Sequence, residues 1–341
     1  MTDNNSTQAP PLRYGGDSVT RGVLYMCIAA AIFPILNATV KYLGQRYPMP
    51  ELFVARYLGH VVYCLIAFLP WHGRALFRSA RPKVQVLRAL LLFGASACYF
   101  LGLLTVDLPT STAITFVGPI IVTALSVPML GERVGLRRWT AVAVGFAGAL
   151  IIIRPGANVA HWGAVLVLLD ALCYAIYQVL SRKIGSQDPA QTSITLAGMG
   201  GLLLALLTLP FASVKLPASL FDLALFFSLG LWGLLGHYFV IKAYQWSRAS
   251  IIAPIGYAEL VGSTLLGFLV FSEFPDRWTW LGASIIVASG LYITYREQRL
   301  RRLAKPEPTA LSNETGRSVS GGVFDLGFGL DLDFVAADQA G

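Results

Sequence analysis

In one apolar stretch, Asp170, Tyr174, Gln178 and Arg182 follow one another at intervals of four. That spacing sets an acid, a phenol, an amide and a base on a single helix face. Such a stripe can hold a small polar molecule by charge and hydrogen bonds. Asn37 and Lys41 repeat the amide-and-base spacing in an earlier apolar stretch, and Ser96 and Tyr99 lie in another. Glu259 stands two residues after Tyr257, and Arg56 one turn before His60. Ionisable groups inside apolar helices cost about 2.5–3.5 kcal/mol each at a helix centre, so they face a cavity or one another. Glu259 is the first candidate. It pairs with Arg56 or Lys41 to lock helices, or it takes up a proton during coupling, and both readings stand. Asp170 either neutralises a basic neighbour such as Arg56 or meets a ligand. His60 and His237 fit packed, hydrogen-bonding histidines, with His60 also a candidate for coupling. Arg56 reads as an interior structural or gating charge. Glu51, five residues earlier, is turned away from it and suits a helix N-terminus.

The elements that position these groups follow from composition. The 341 residues are 55% hydrophobic and only 13% charged, with a mean hydropathy of +0.63. That is more apolar surface than one soluble core hides, so lipid covers the remainder. The apolar residues fall in blocks near twenty residues, the length that crosses a ~30 Å hydrocarbon layer as a helix. The expectation is an all-α integral membrane protein with ten spans: 22–44, 50–71, 86–106, 109–130, 138–153, 163–185, 192–209, 222–244, 249–271 and 278–295.

An even number of spans places both termini on one side. With the N-terminus inside, twenty Lys and Arg fall in the cytoplasm and five outside, Arg56 being within a span. That asymmetry predicts cytoplasmic termini in an inner (plasma) membrane. It also accounts for the net charge of +8 with no need for nucleic acid. Residues 1–21 read as a polar cytoplasmic tail followed by an anchor span, and 297–341 as a cytoplasmic, disordered tail. Cys27, Cys64, Cys98 and Cys173 lie in spans without paired spacing, which argues against disulfides and metal sites. No HExxH, GxSxG or Walker A pattern is present, so neither an enzyme nor a cofactor is expected, and ATP does not drive this chain directly.

The chain repeats itself. Gly22, Asn37, Lys41 and Gly44 recur 141 positions later as Gly163, Gln178, Arg182 and Gly185, and 132–139 recurs as 273–280 at the same offset. Tyr99-Phe100 matches Tyr238-Phe239 at an offset of 139. The units are 22–153 and 163–296, each of five spans. An odd number inverts the second unit, the plan of alternating-access carriers.

At these positions the residues carry a resemblance. Pro50-Glu51 to Arg56, Leu130-Gly131-Glu132 before Arg137-Arg138-Trp139, and Ile153-Arg154-Pro155 resemble the drug/metabolite transporter superfamily, EamA type. Ala253-Pro254, Tyr257, Glu259-Leu260, 271–276, Gly282 and 289–292 resemble its branch of S-adenosylmethionine and riboflavin uptake proteins. The resemblance implies that spans one to four and six to nine enclose a central cavity, five and ten lying outside it. It implies a secondary transporter of a small polar metabolite such as an amino-acid derivative, S-adenosylmethionine-like or vitamin-like compound. A riboflavin carrier and an exporter of amino-acid-like metabolites are alternatives within that class. A passive facilitator and a non-transport scaffold are the readings outside it. The substrate-binding candidates are Asn37, Tyr99, Asp170, Tyr174, Gln178, Tyr257 and Glu259, with Glu259, His60, Arg56 and Lys41 for coupling or gating.

Gly118-Pro119 is expected to break the fourth span and Pro254 with Gly256 the ninth, about a turn apart in the repeat alignment. Glu132 and Glu273 read as caps or gate contacts. Gly230, Gly233 and Gly236, and Gly145 with Gly148, allow close backbone approach, either within the bundle or in a homodimer.

Overall fold

The computed structural model describes residues 16–130, 135–153, 162–184, 188–246, 252 and 255–303. Every regular element among them is helical: α1 (Gly16–Gly44), α2 (Met49–His72), α3 (Pro82–Leu103), α4 (Leu108–Thr115), α5 (Gly118–Leu130), α6 (Leu136–Ile153), α7 (Trp162–Ile184), α8 (Ala190–Thr208), α9 (Leu220–Trp246), α10 (Glu259–Phe271) and α11 (Arg277–Leu303). Short 3-10 turns follow α2 and α8. One compact unit extends to Leu300. Seven stretches are long and apolar enough to cross a membrane, and 139–153 and 259–271 are shorter apolar helices. The seven correspond to the first four and the sixth to eighth of the ten expected spans; of the other three, 139–153 and 259–271 are apolar but shorter, and α11 is diluted by Trp, Thr, Ser and Tyr.

Local chemistry sets several ends. Pro48 precedes α2, Pro50 occupies its first turn and Glu51 meets the positive end of its dipole. The helix stops at Gly73, whose φ of 49° suits a residue without a Cβ. α10 ends at Ser272, left-handed at φ 57°, and the Glu273 N–H closes back on the Gly267 carbonyl. That turn delivers the Glu273 side chain to Lys41. α11 continues to Leu303, so the start of the region assigned to a disordered tail is helical. Its Arg, Glu, Gln and Leu residues are good helix formers.

α1 packs on α9 and α3 on α7, while α2 lies against α8 and α9, α8 against α3, α1 against α10 and α5 against α7. Leu36, Leu43, Leu52, Phe100, Leu103, Leu108 and Ile114 fill the interior. Leu24, Ile66, Trp71, Val86, Leu203, Phe227, Val261 and Leu269 are exposed. A belt of that size is tolerable against lipid and not against water.

A 141-residue register runs through the packing. A Cβ on Gly201 would strike Tyr57, and one on Gly198 would strike His60; these pairs exchange into each other at that offset. The Gly59–Gly230 approach of α2 and α9 exchanges with Gly200–Ala89 of α8 and α3. The offset of 139 between the Tyr-Phe dipeptides is thus not the packing register of α3 and α9. The helix breaks also obey 141: α5 begins at Gly118 and α10 at Glu259. This corrects the expected stagger. Pro119 sits in the first turn of α5, where a missing N–H costs nothing, and the break precedes it at Phe116 and Val117. Phe116 and its counterpart Tyr257 touch edge to face, centroids 4.9 Å apart. A residue touching its own counterpart lies on a two-fold axis.

The glycine faces are occupied within the chain. Gly236 faces Phe33, Gly148 approaches the Gly282 carbonyl, and Gly145 meets Ile120 and Ser289.

Candidate functional site

At one end of the bundle, Lys41 Nζ lies 2.5 Å from Glu273 Oε1 and donates to the Val106 carbonyl at 2.9 Å. The other Glu273 oxygen accepts the Leu108 N–H at 2.9 Å. Just beneath, Thr112 donates to Ser263 at 2.8 Å and ties α4 to α10. At the α1–α2 turn, the Tyr47 hydroxyl donates to Asp222 and accepts the Ala218 N–H, both at 2.8 Å. Glu51 accepts the Lys215 N–H at 2.5 Å.

The far end of α2 is held the same way. Asp188 accepts from the Ser79 hydroxyl, the Ala80 N–H and Gln85, the last two at 2.8 Å. Arg88 donates to Gln85, Ser181 and Tyr177. Burial pushes the Asp188 carboxyl up, but these hydrogen bonds and the Arg88 charge more than offset it and hold it below the usual carboxylate range. The reading of the third span from 86 onward cut Gln85 off from this network, because polar residues at a helix start look like loop.

Between the ends lies a different kind of cluster. Arg56 of α2 is buried, its guanidinium over the Phe100 ring at 4.8 Å and near Tyr57 at 5.8 Å. Asp170 of α7 is within electrostatic reach of Arg56 and of Glu259. Glu259 opens the first turn of α10 directly after the break, and Tyr99 of α3 feels its charge. Tyr174 feels Arg56 and lies against Tyr177 and His237, at 5.7 and 6.2 Å. His60 and His237 also sit in the field of Arg56. Asp170 and Glu259 are half-buried. Among the described residues no ion pair within 4 Å joins Arg56 to either carboxylate; the pairs formed are Lys41–Glu273 and Arg46–Asp222.

Six predicted site residues therefore converge: Arg56, His60, Tyr99, Asp170, Tyr174 and Glu259. Lys41 does not join them. Glu273 takes it, which corrects the pairing of Lys41 with Glu259 and leaves Lys41 as a contact at the bundle end. Tyr257 has its ring on Phe116 and its hydroxyl where a Cβ on Gly290 would fall. Asn37 is buried one turn before Lys41, and Gln178 is half-buried one turn beyond Tyr174. The Arg182 side chain, Glu132, Pro254 and the tails 1–15 and 304–341 lie outside the described residues. Sequence reasoning missed Phe100 and Tyr57 as the platform of Arg56. The signal was their place beside Tyr99 and Arg56, which reads equally well as core.

A helical bundle with exposed apolar flanks and seven stretches able to cross a membrane is that of a polytopic membrane protein, and among the described residues Arg56, Asp170 and Glu259 lie within it without an ion-pair partner. The family model of the EamA-like transporter family matches twice, at residues 20–154 and 161–295, and the chain belongs to that family of drug/metabolite-type carriers of small metabolites. It is 32% identical over 260 residues to an S-adenosylmethionine uptake transporter of Rickettsia felis, covering 76% of this chain and 87% of the relative. A riboflavin transporter of Rhizobium johnstonii is 30% identical over 288 residues, covering 82% and 93%. A pseudopaline exporter of Pseudomonas aeruginosa is 28% identical over 275 residues, covering 80% and 95%. A crystal structure with 18% sequence identity shares the fold at a TM-score of 0.60, covering 84% of this chain and 99% of the other.

Proposed function

We propose that the chain carries a small, positively charged metabolite across the bacterial inner membrane by alternating access, through ten crossings arranged as two five-helix units of opposite orientation. The double family match, the exchange of contacts at 141 and the Phe116–Tyr257 contact support that arrangement. The excess of Lys and Arg supports cytoplasmic termini. Lys41, Glu273, Leu108, Thr112 and Ser263 then form an outer seal that opens in the other half of the cycle.

The carrying observation is the contrast between the ends and the middle. At the ends Lys41, Glu51, Asp188, Asp222 and Glu273 have partners, whereas Arg56, Asp170 and Glu259 have no ion-pair partner within 4 Å among the described residues. Three such groups in a membrane interior cost about 7–10 kcal/mol together on insertion scales, comparable with the whole stability of a domain. An arrangement so costly is kept for a ligand. Their repeat counterparts are Ala197, Ala29 and Gly118, so the charge belongs to the site and not to the duplicated scaffold. One guanidinium and two carboxylates leave a negative excess, and Tyr99 and Tyr174 add aromatic faces that attract cations. Of the compounds the relatives' names give, S-adenosylmethionine fits that charge better than neutral riboflavin. Glu259 taking up a proton is the coupling step.

The test is accumulation of labelled S-adenosylmethionine, riboflavin and amino acids in proteoliposomes, with and without a proton gradient. Gradient-driven accumulation of a cationic compound is expected. Downhill movement alone would make the chain a facilitator, and movement of riboflavin alone would contradict the charge reading.

A further inference from the structure

We propose that Arg56 is the receptor for a carboxylate on the transported molecule, so that the substrate is amphoteric, with its carboxylate at Arg56 and its cationic centres at Asp170 and Glu259. This rests on the transport reading above and narrows its substrate to a class.

The Arg56 guanidinium is set against two aromatic rings. Phe100 lies 4.8 Å from it, is itself 1% exposed and stacks on Phe53 at 5.9 Å. Tyr57, the second ring, is fixed by donating to Ser96 at 3.2 Å. A contact with an aromatic ring supplies none of the hydrogen-bond acceptors a guanidinium needs, and its N–H fork is the one that grips a carboxylate through two parallel hydrogen bonds. No acceptor among the described residues occupies it. Among the described residues, the arginine with side-chain hydrogen bonds is Arg88, at the bundle end.

Two observations separate a receptor from an internal lock. A locked arginine would hold Asp170 at about 2.7–2.9 Å, yet the two interact only through their fields. Gly233 of α9 borders this donor edge: a Cβ placed there would come into ordinary contact with Arg56 Nε at 3.7 Å, so it is the missing side chain that leaves the edge uncovered. Space and charge are thus present together. The histidines in the field of Arg56 supply no anion, and His60 Nε2 is buried with no hydrogen-bond partner. The charges decide the rest: one positive and two negative groups are neutralised by a carboxylate joined to two cationic centres. An α-amino acid with a second cationic group, such as a sulfonium, guanidinium or further ammonium, has that form.

The test uses the full chain in proteoliposomes and matched competitors: S-adenosylmethionine, arginine and lysine, each as the free acid and as its methyl ester. For the wild type, the acid of a transported pair is expected to inhibit uptake about tenfold or more better than the ester. Arg56→Gln is expected to make acid and ester equal, and Arg56→Lys to keep a reduced preference, since it retains the charge without the fork. Both variants are first shown to be monodisperse. An ester that competes as well as its acid in the wild type overturns the proposal, as does a preference that survives Arg56→Gln. Movement of carboxylate-free cations and of no acid also overturns it while leaving the transport reading in place. No movement of any compound by folded protein contradicts the transport reading, and this proposal with it.

Discussion

Buried Lys41 and half-buried Glu273 form an ion pair at the end of the bundle, 2.5 Å apart, with Glu273 also accepting the Leu108 N–H. The pair joins α1 to the segment after α10 and, through Leu108, to the start of α4. Removing Glu273 leaves the buried Lys41 as an uncompensated charge; a fully buried pair loses about 3–5 kcal/mol, and the partial exposure of Glu273 places this one below that range. That is enough to unseat a conformational equilibrium of a few kcal/mol. Glu273→Gln will therefore weaken the seal. In a cysteine-free background, a cysteine at Ser263, fully buried behind it, will react at least tenfold faster with a membrane-impermeant thiol reagent added outside. An unchanged rate would mean that the pair does not hold the seal.

The Asp188 network gives a pH dependence. Its carboxyl lies below the usual range when folded, so it contributes stability above the unfolded value of about 3.9 and loses it as pH falls through the folded value. Thermal unfolding of the purified protein will show Asp188→Asn less stable than wild type at pH 7, with the gap narrowing below about pH 4. A gap that does not change with pH would assign Asp188 no role as an anion.

Two glycines of α9 separate close packing from open space. A Cβ on Gly230 would lie 2.5 Å from the backbone of Gly59, whereas one on Gly233 has only Arg56 Nε at 3.7 Å. Gly230→Ala will lower the melting temperature, overpacking costing about 1–3 kcal/mol. Gly233→Ala will be neutral or slightly stabilising, since alanine is the better helix former by about 0.5–1 kcal/mol. Equal effects at both positions would contradict the α2–α9 contact.

Seven of the ten expected spans were legible because length and apolarity are local properties. Arg56, Asp170 and Glu259 were legible as a class because charge inside an apolar helix is rare for an energetic reason. Their company was not. Arg56 rests on Phe100, and Lys41 is claimed by Glu273, a residue from the opposite end of the chain, and no local pattern names such a pair. The helix breaks were placed by their prolines, whereas Pro119 begins the second half of its span and the break falls before it. Glu259 then proves to stand at a helix N-terminus, a position that favours an anion by about 0.3–1 kcal/mol. That gain is small against the cost of a charge in lipid, so the dipole alone does not explain the residue.

Carboxylates with partners hold the ends of the bundle, and those without one among the described residues lie in its middle. The most direct test of this contrast is uptake of labelled S-adenosylmethionine by proteoliposomes of Asp170→Asn and Glu259→Gln beside Asp188→Asn and Asp222→Asn, each scaled to folded protein. The central pair will lose at least tenfold in uptake with melting temperatures near wild type, and the end pair will melt lower while keeping uptake per folded molecule. Full uptake by both central variants, or its loss only in the end variants, would contradict a substrate site at Arg56, Asp170 and Glu259.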